Sequence, residues 1–501
     1  MRDAYQVTTV RAAERALMEL VPDGALMQQA AAGLASVCAA LLRAEPGLVY
    51  GARVAVLAGS GDNGGDALYA GARLARRGAA VTVIAAGPKT HPGGLSALRA
   101  AGGRVTGETD LIGHADLIID GLLGIGGRGG LREPFAGLAA QAEQARQAGA
   151  TVVAVDLPSG IDADTGTVDG PAVKADVTVA FGTLKPGLLI DPGAGHAGTV
   201  ELVDIGLGPH LPEEPDATAP QGDDIRALLP RPGAESDKYR RGVLGLLAGS
   251  DRYTGAALLS VGGAVHGGAG MVRVVTADTP AALVRQAWPE TVISVHPDDP
   301  DWDLPGSVGR VQAWVAGPGM GTGEGATARL TAIMRTDLPV LVDADGLTIL
   351  SQHRDLLPRN APTLITPHAG ELARLLGGDT DPASVEARRL EHARRAAAEL
   401  GVTVLLKGST TVIAAPDGGP VLVNPTGTPW LATAGSGDVL SGLAGALLAQ
   451  GLRPAQAALA AAYLHGLAGR LAAGPGETGG DVAPIGASDL VRALPAAFRS
   501  V

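Results

Sequence analysis

The sequence predicts an α/β protein of two bodies, each a mostly parallel sheet with helices on both faces. Three observations carry this reading. Short apolar runs alternate with longer Ala/Leu/Arg stretches of helical period, and the rhythm occurs twice. A Pro- and acid-rich stretch, "LGPHLPEEPDATAPQGDD" (207–224), interrupts it. Aromatic residues are only 3% of the chain while hydrophobic residues reach 46%, so the core is built from Val, Leu, Ile and Ala, which suit close helix-on-sheet packing. At about 150 residues per domain, 501 residues hold two or three domains, or two large ones.

In the first body "ARVAVLA" (52–58), "AVTVIAA" (80–86), "DLIID" (116–120), "ATVVAVD" (150–156), "VTVAF" (177–181) and "TVELVDIG" (199–206) read as buried strands. Helices are expected at 65–78, 93–102 and 133–148. Strand, helix, strand in this order makes a parallel sheet whose binding crevice lies at the carboxyl ends of its strands. After the break, "VLGLLAG" (243–249), "MVRVVTA" (271–277), "TVISV" (291–295), "QAWVAG" (312–317), "PVLVDAD" (339–345), "APTLITP" (361–367) and "VTVLLKG" (402–408) resume the pattern. "TTVIAAPDGGPVLVNP" (410–425) reads as a hairpin turning at "PDGG", and helices are expected at 436–450, 453–471 and 486–498. The expected division is a first domain over 1–210, a linker over 211–224 and a second domain over 225–501.

Composition excludes several classes. A formal net charge of −12 argues against phosphate-backbone binding, so no nucleic-acid partner is expected. The single Cys38 supports neither a disulfide framework nor a cysteine zinc site. "MRDAYQVTTVRAAER" has no signal-peptide core, and no uninterrupted apolar run approaches ~20 residues, so no membrane span is expected. A soluble, cytoplasmic homo-oligomer is the expectation.

The chemistry sits in glycine loops. In "LAGSGDNGGDALYAGARLA" (57–75) a strand ends, glycines turn the chain and a helix begins. Glycines bring N–H groups close to a ligand, and a helix N-terminus favours anions. Asp62, Asn63 and Asp66 add oxygens of the kind hard cations take, although Asp66 reads equally as a helix N-cap. "DLIIDGLLGIGGRGGLREP" sets Asp120 at a strand end before a second glycine loop, and "VVAVDLPSGIDADTG" sets Asp156 at the next, with Ser159 just beyond. Three such strand-end loops converge on one crevice.

"GSGDNGGD", "DGLLGIGGRG" and "VDLPSGIDADTG" resemble the N-terminal epimerase domain of the bifunctional NAD(P)H-hydrate repair enzymes, over most of residues 1–210. The resemblance implies a Rossmann-like three-layer αβα domain. It also implies a potassium site at Asn63, Asp120 and Ser159, and substrate contacts from Asp62, Asn63, Gly64, Gly65 and Asp66. Further contacts are implied from Gly124, Ile125, Gly126, Gly127, Arg128, Gly129 and Gly130, with Asp156 as a substrate-contacting, catalytic acid. The family loop usually reads Asn-Asn-Gly-Gly-Asp-Gly; here Asp62 replaces the first Asn and Ala67 the last Gly. The added charge at Asp62 either strengthens cation binding or repels a substrate phosphate.

In the second body "VLGLLAGSDRYTGAALLS", "VAGPGMGTG", "LVDADGL", "LITPHAGELARLLG", "LLKGSTTVI" and "TAGSGDVLSG" occur in order and resemble the dehydratase domain of the same enzymes, a ribokinase-like fold, over about residues 225–500. In "TAGSGDVLSG" no Lys follows the glycines and Asp438 lies among them. Such a turn offers N–H groups to a phosphoryl group, and a carboxylate there accepts the proton of an attacking hydroxyl. Asp438 is therefore the candidate base, with a helix N-cap as the alternative. By the resemblance Lys407, Gly408, Ser409, Thr410, Thr411 and Gly437 serve the nucleotide, while Ala256, Gly319, His368 and Asp438 face the hydrate. Lys407 otherwise reads as a surface lysine, and His368 as structural.

The implied activity has two parts. ADP, carried with Mg²⁺, phosphorylates the hydroxyl of the S form of NADHX or NADPHX; elimination then restores NADH or NADPH and leaves AMP and phosphate, relatives elsewhere using ATP. The epimerase domain, with K⁺, interconverts the R and S forms. The alternative is a ribokinase-like small-molecule kinase with a non-catalytic N-terminal binding module.

Overall fold

Seven strands of the first unit form one parallel sheet in the order Arg104–Thr106, Ala80–Ala85, Arg53–Ala58, Leu117–Gly121, Thr151–Val155, Val177–Phe181, Thr199–Val203. Six of them are the apolar runs expected from sequence, although Thr199–Val203, expected to be buried, is mostly exposed because it is the last strand of the sheet; Arg104–Thr106 is a short edge strand whose three residues carry no such run. The central strands Arg53–Ala58 and Leu117–Gly121 are buried from Val54 and Leu117 onward, as a sheet covered on both faces requires. The computed structural model describes residues 1–44, 47–87, 89–296, 304–474 and 482–501 and divides into two units: Asp3–Ala217, and Met1–Arg2 with Thr218–Val501.

Strand order reverses direction between Arg53–Ala58 and Leu117–Gly121, which pair with Leu57 opposite Asp120 and Ala58 opposite Gly121. The crevice of this unit therefore opens beyond these two carboxyl ends, with the first glycine loop and Asp120 at one level. Helix Asp62–Arg76 packs over the sheet and against Ala25–Arg43. Ala25–Arg43 is long and apolar enough, by length and composition, to cross a membrane. Its Ala30, Leu34, Ala35, Cys38 and Ala39 instead join the core of this unit, where burial pushes the Cys38 thiol up to about 12.

The second unit holds the greater part of one large sheet. Nine strands run in the order Val421–Asn424, Thr411–Ala414, Thr403–Leu406, Thr363–Ile365, Val340–Val342, Ala313–Ala316, Val243–Leu247, Met271–Thr276, Val292–Val295. These nine strands pair in parallel except where Thr411–Ala414 runs antiparallel to its neighbours Thr403–Leu406 and Val421–Asn424. Two three-residue strands, Arg2–Ala4 and Ala217–Ala219, fall where the chain divides between the units. The segment expected to be a linker, 211–224, thus contains the strand Ala217–Ala219 and the start of helix Gly222–Leu228. Its Pro and acid content signals a break, but three buried residues, Ala217, Thr218 and Ala219, are enough to add a strand once a sheet edge is present to pair with.

Helix Ser436–Ala449, which carries Asp438, is buried at every residue from Val439 to Ala449. It lies against helix Thr254–His266 at backbone distance. A Cβ added at Gly442 would sit 1.9 Å from the Ser260 carbonyl oxygen, and one at Gly263 would sit 2.2 Å from the Val439 carbonyl oxygen. No side chain fits at these crossings, so the glycines set how deeply the helix sinks. Gly442→Ala should destabilise the second unit by about 1–3 kcal/mol. Gly255→Ala, at a helical position with nothing within 4 Å of the added carbon, should be neutral or gain up to about 1 kcal/mol. Urea unfolding of the two variants checks the contrast.

Candidate active sites

In the first unit glycines let two loops meet. A Cβ at Gly59 would fall 1.9 Å from the Leu122 carbonyl oxygen, one at Gly64 2.3 Å from that of Gly59, and one at Gly124 2.5 Å from Asn63 Oδ1. Ala67, where the family carries Gly, is fully buried and directed at Gly121, whose own Cβ would lie 2.6 Å from it. The missing carbon at Gly121 thus makes room for the extra one at Ala67.

Asn63, Asp120 and Ser159 come together as expected of a convergence of three strand ends. Asp120 is fully buried; its Oδ1 accepts the Ser159 hydroxyl at 2.7 Å and its Oδ2 the Ser159 N–H at 2.8 Å. Asn63 Nδ2 donates to the carbonyls of Leu123 at 3.1 Å and Val155 at 2.6 Å. Burial pushes the Asp120 carboxyl up to about 6, against the hydrogen bonds from Ser159 and Leu122.

Asp156 takes a left-handed φ of 65° just after strand Thr151–Val155. Its Oδ1 accepts the Phe181 N–H at 2.9 Å and the Lys185 ammonium at 2.5 Å. Lys185 is only 1% exposed, and its ammonium also donates to the Phe181 carbonyl at 3.2 Å. Sequence reasoning missed this lysine, although a lone charge inside "TLKPGLLI" is the signal that could have found it.

Asp66 is not an N-cap. Gly61 holds that position, and Asp66 is the fifth residue of helix Asp62–Arg76. It is buried, its Oδ1 accepts no hydrogen bond among the described residues, and burial, then Asp156, Asp62 and Glu14, push it well above the usual carboxylate range. It lines a cavity of about 460 Å³ with Glu14, Asp62, Tyr69, His91 and Phe181. The second glycine loop is elsewhere: Ile125, Gly126, Gly127 and Arg128 line a separate pocket of about 50 Å³ with Arg11 and Asp162. Gly129 supplies a left-handed turn, Gly130 packs on Gly170, and Gly65 lies under Met27.

In the second unit Gly435, at φ 86°, caps helix Ser436–Ala449, so Asp438 lies in the first turn and is not the N-cap. Burial and then Asp343 push its carboxyl up to about 7, with Lys407 pulling the other way. Lys407 is not a surface lysine; its side chain is 22% exposed and its ammonium bonds Asp343 Oδ1 at 2.7 Å. Burial opposes its charge, but Asp343 and Glu371 outweigh that and hold its pKa raised. Ser441 donates to Asp343 Oδ2 at 2.6 Å. A Cβ at Gly437 would stand 3.6 Å from Lys407 Nζ, so this pair lies directly beside the glycine turn.

His368 caps helix Ala369–Leu376, accepting the Gly370 N–H at 3.0 Å, while Glu371 accepts the His368 N–H at 2.8 Å. It therefore has a structural role and still leaves its ring exposed. Gly319, at φ 57°, meets Ala256 and Tyr253, each within 3 Å of an added Cβ. Gly408 leaves space for the Arg389 guanidinium, Ser409 is exposed, Thr410 is buried and Thr411 opens strand Thr411–Ala414. Sequence reasoning assigned no role to Asp343, Asp345, Glu371, Ser441 or His465. The "LVDADGL" motif held the signal for the first two. Buried His465, pushed down to about 4 by burial, donates from Nε2 to the Ser436 carbonyl at 2.9 Å and steadies the turn from below.

Residues 244–484 match the family described as NAD(P)H-hydrate dehydratase, and residues 23–187 match that described as YjeF-related protein N-terminus. The chain is 49% identical over 504 residues to the bifunctional NAD(P)H-hydrate repair enzyme of Mycobacterium leprae, with 100% of both chains covered. The chain belongs to the bifunctional NAD(P)H-hydrate repair enzymes. The Mycobacterium tuberculosis enzyme of that name is 50% identical over 462 residues, covering 91% of each chain. A crystal structure of the ADP/ATP-dependent NAD(P)H-hydrate dehydratase from Bacillus subtilis is also similar, at 31% identity and TM-score 0.49 over 56% of this chain and 97% of that one.

In this member of the repair-enzyme family the raised Asp438 sets a stability cost. Above the ordinary carboxylate value of 3.8 and below about 7, the folded chain keeps a proton that the unfolded chain has released. Its contribution to stability therefore falls as pH rises through that window. Asp438→Asn should raise the unfolding free energy by about 1–3 kcal/mol at pH 8 and leave it unchanged near pH 3, as urea titrations at the two pH values would read.

Proposed function

We propose that the second unit uses ADP to dehydrate the S form of NADHX or NADPHX, and that the first unit interconverts the R and S forms so that both are repaired. The observation that carries the reading is Asp438, placed on the first turn of a glycine-capped helix beside Lys407 and pushed up to about 7. Hydroxide is a poor leaving group. Asp438 takes the proton of the hydrate hydroxyl as its oxygen attacks phosphorus, and the phosphate so formed leaves readily. A base with a pKa near the working pH combines adequate ionisation with adequate proton affinity. The helix N-terminus at 435–437 favours the phosphoryl group and Lys407, held by Asp343 and Glu371, adds positive charge beside it. The stretch 407–411 then lines the nucleotide, with Gly319, Ala256 and His368 toward the hydrate.

Mg²⁺ fits this site as a passenger of the nucleotide. Both Asp343 oxygens are engaged by Lys407 and Ser441, and Asp345 accepts the Gly321 N–H at 2.9 Å, so these carboxylates are already engaged within the protein. Mg²⁺ is commonly carried by substrate phosphates and water in this way. In the first unit Asn63, Asp120 and Ser159 would hold K⁺ as oxygen ligands with one formal charge: both Asp120 oxygens accept from Ser159, so the ion would share them with those donors, and Asn63 donates through Nδ2 to the Leu123 and Val155 carbonyls, which leaves its Oδ1 for the ion. The ion would offset negative charge in the crevice.

Mixed R and S NADPHX with ADP should regain the absorbance of the reduced ring; a stable phosphorylated alcohol would instead favour a kinase. Asp438→Asn should slow dehydration about 10²–10⁴-fold while epimerisation persists. Lys407→Ala should raise the nucleotide requirement more than the hydrate requirement. It should also move the acid limb of dehydration to higher pH, because Lys407 lowers Asp438. Asp120→Ala should abolish potassium binding and slow R-to-S conversion with S-hydrate dehydration intact; normal epimerisation in that variant would remove the site.

A further inference from the structure

Helix Val7–Met18 faces two spaces of the first unit with one stripe of side chains. Its Val10, Ala13 and Leu17 turn into the core. Val7, Arg11, Glu14 and Met18 recur every three or four residues and so share another side of the helix. Val7 and Arg11 line the 50 Å³ pocket at the second glycine loop, while Glu14 and Met18 line the 460 Å³ cavity at the first. The two spaces lie on either side of the contact between the loops. A Cβ at Gly124 would fall 2.5 Å from Asn63 Oδ1; Asp62, next to Asn63, lines the cavity, and Ile125, next to Gly124, lines the pocket. The helix precedes residues 23–187, the part of the first unit that matches its family, so that match assigns it no role.

The pocket suits an anion. Arg11 reaches the loop because Gly126 has no side chain: a Cβ there would lie 2.7 Å from Arg11 Nη2. Arg128 lines the same pocket, and among the described residues neither guanidinium holds a hydrogen bond or an ion pair. The N–H groups of Ile125, Gly126 and Arg128 likewise donate to no acceptor among them. The two acids of the pocket are already engaged. Asp162 Oδ1 accepts the N–H groups of Asp164 and Thr165 and the Thr165 hydroxyl; Asp164 Oδ1 accepts the Val7 N–H at 2.7 Å and so anchors the helix. Guanidinium forks and backbone N–H groups without acceptors are what phosphate oxygens take.

The cavity suits the other end of a dinucleotide. Glu14, Asp62 and Asp66 line it, which disfavours phosphate, and Met27 and Phe181 offer surface to a ring. Its His91 accepts the Gly94 N–H through Nδ1, so that nitrogen carries no proton. Asp66 Oδ1 is buried and meets no donor among the described residues, a group that a ligand would satisfy. Burial above all raises both Asp66 and Glu14. A primary carboxamide fits such a wall: its N–H groups donate to a carboxylate, and its carbonyl accepts from a protonated carboxyl.

Resting on the reading that the first unit is the epimerase, we propose that helix Val7–Met18 fixes the direction in which the hydrate lies, Arg11 binding the pyrophosphate together with Arg128 and Glu14 binding the carboxamide-bearing ring. Arg11 and Glu14 are three residues apart, about 4.5 Å along the axis, and in the substrate one ribose separates ring from pyrophosphate. Both are binding residues, and neither moves a proton of the reaction. In this direction the added charge of Asp62 faces the ring, not the pyrophosphate.

The test uses the full chain without nucleotide, so that no dehydration occurs, and follows R-to-S conversion of NADPHX by chromatography at varied hydrate concentration. Two competitors report the two ends: inorganic pyrophosphate, and reduced nicotinamide riboside, which carries the carboxamide ring and ribose without phosphate. Both should inhibit the wild type. Arg11→Ala should raise KM about 10–100-fold, with a smaller effect on kcat, and weaken inhibition by pyrophosphate but not by the riboside. Glu14→Ala should weaken inhibition by the riboside but not by pyrophosphate. Arg15→Ala removes a charge from the same helix at an exposed position that lines neither space, and should behave as wild type. Inhibition unchanged in Arg11→Ala and Glu14→Ala, the opposite pairing of variant and competitor, a loss in Arg15→Ala equal to that in Arg11→Ala, or a competitor that leaves the wild type uninhibited would each overturn the assignment. Conversion at saturating hydrate shows that the first unit of each variant is folded; if Arg11→Ala is not, Arg128→Ala takes its place with the same expected outcome. A wild-type chain that does not interconvert the epimers removes the epimerase reading itself. Interconversion with the same competitor pattern in every variant removes only the role of the helix.

Discussion

A carboxylate withdrawn from water must be paired, hydrogen-bonded or protonated, and both units are organised by that constraint. Parallel strands buried on both faces end in loops where acids are only partly solvated. Asp120, Asp156 and Asp343 satisfy the constraint with donors: Ser159, Lys185 with Phe181, and Lys407 with Ser441. Asp66 and Asp438 are left with fewer donors and more negative neighbours, and their carboxyls rise. Each unit thus has acids held by donors, among them Asp120, which burial still raises to about 6, and one with fewer donors whose carboxyl is pushed up by burial and negative neighbours.

The glycines make this arrangement possible at short range. Gly59, Gly64 and Gly124 let two strand-end loops close on Asn63, and Gly263 and Gly442 let the Asp438 helix sink against its neighbour. In both units the backbone approaches backbone where a Cβ would overlap a carbonyl oxygen. Phosphate-cradle glycines and packing glycines look alike in a string of letters. The two differ only in what stands opposite them: a Cβ at Gly437 would meet the Lys407 ammonium at an ordinary 3.6 Å, whereas one at Gly442 would overlap the Ser260 carbonyl oxygen at 1.9 Å.

Reading the chain residue by residue recovered most strands, because apolar runs of four to six residues between glycine turns have few other uses in a covered sheet. It recovered less at the edges. Arg104–Thr106 and Ala217–Ala219 carry no pattern long enough to see, and their pairing comes from the neighbouring strand. The alternatives left open for single residues were decided by local position: Asp66 and Asp438 both fall inside a first or second helical turn, with Gly61 and Gly435 as the caps. His368, which read as structural apart from the resemblance, caps helix Ala369–Leu376, and Lys407 proved to be an ion-pair partner.

By itself the sequence determined the two mostly parallel sheets, the convergence of strand-end loops, the glycine turns and the identity of the acids at them. These follow from local periodicity and from residue types with restricted backbone habits. Only the tertiary structure decided which partner each acid has. Lys185 lies 29 residues from Asp156, Ser159 lies 39 from Asp120, and Lys407 and Ser441 lie 64 and 98 from Asp343. A carboxyl group's protonation depends on distances of a few ångströms to such groups, and one-dimensional spacing contains no term for them.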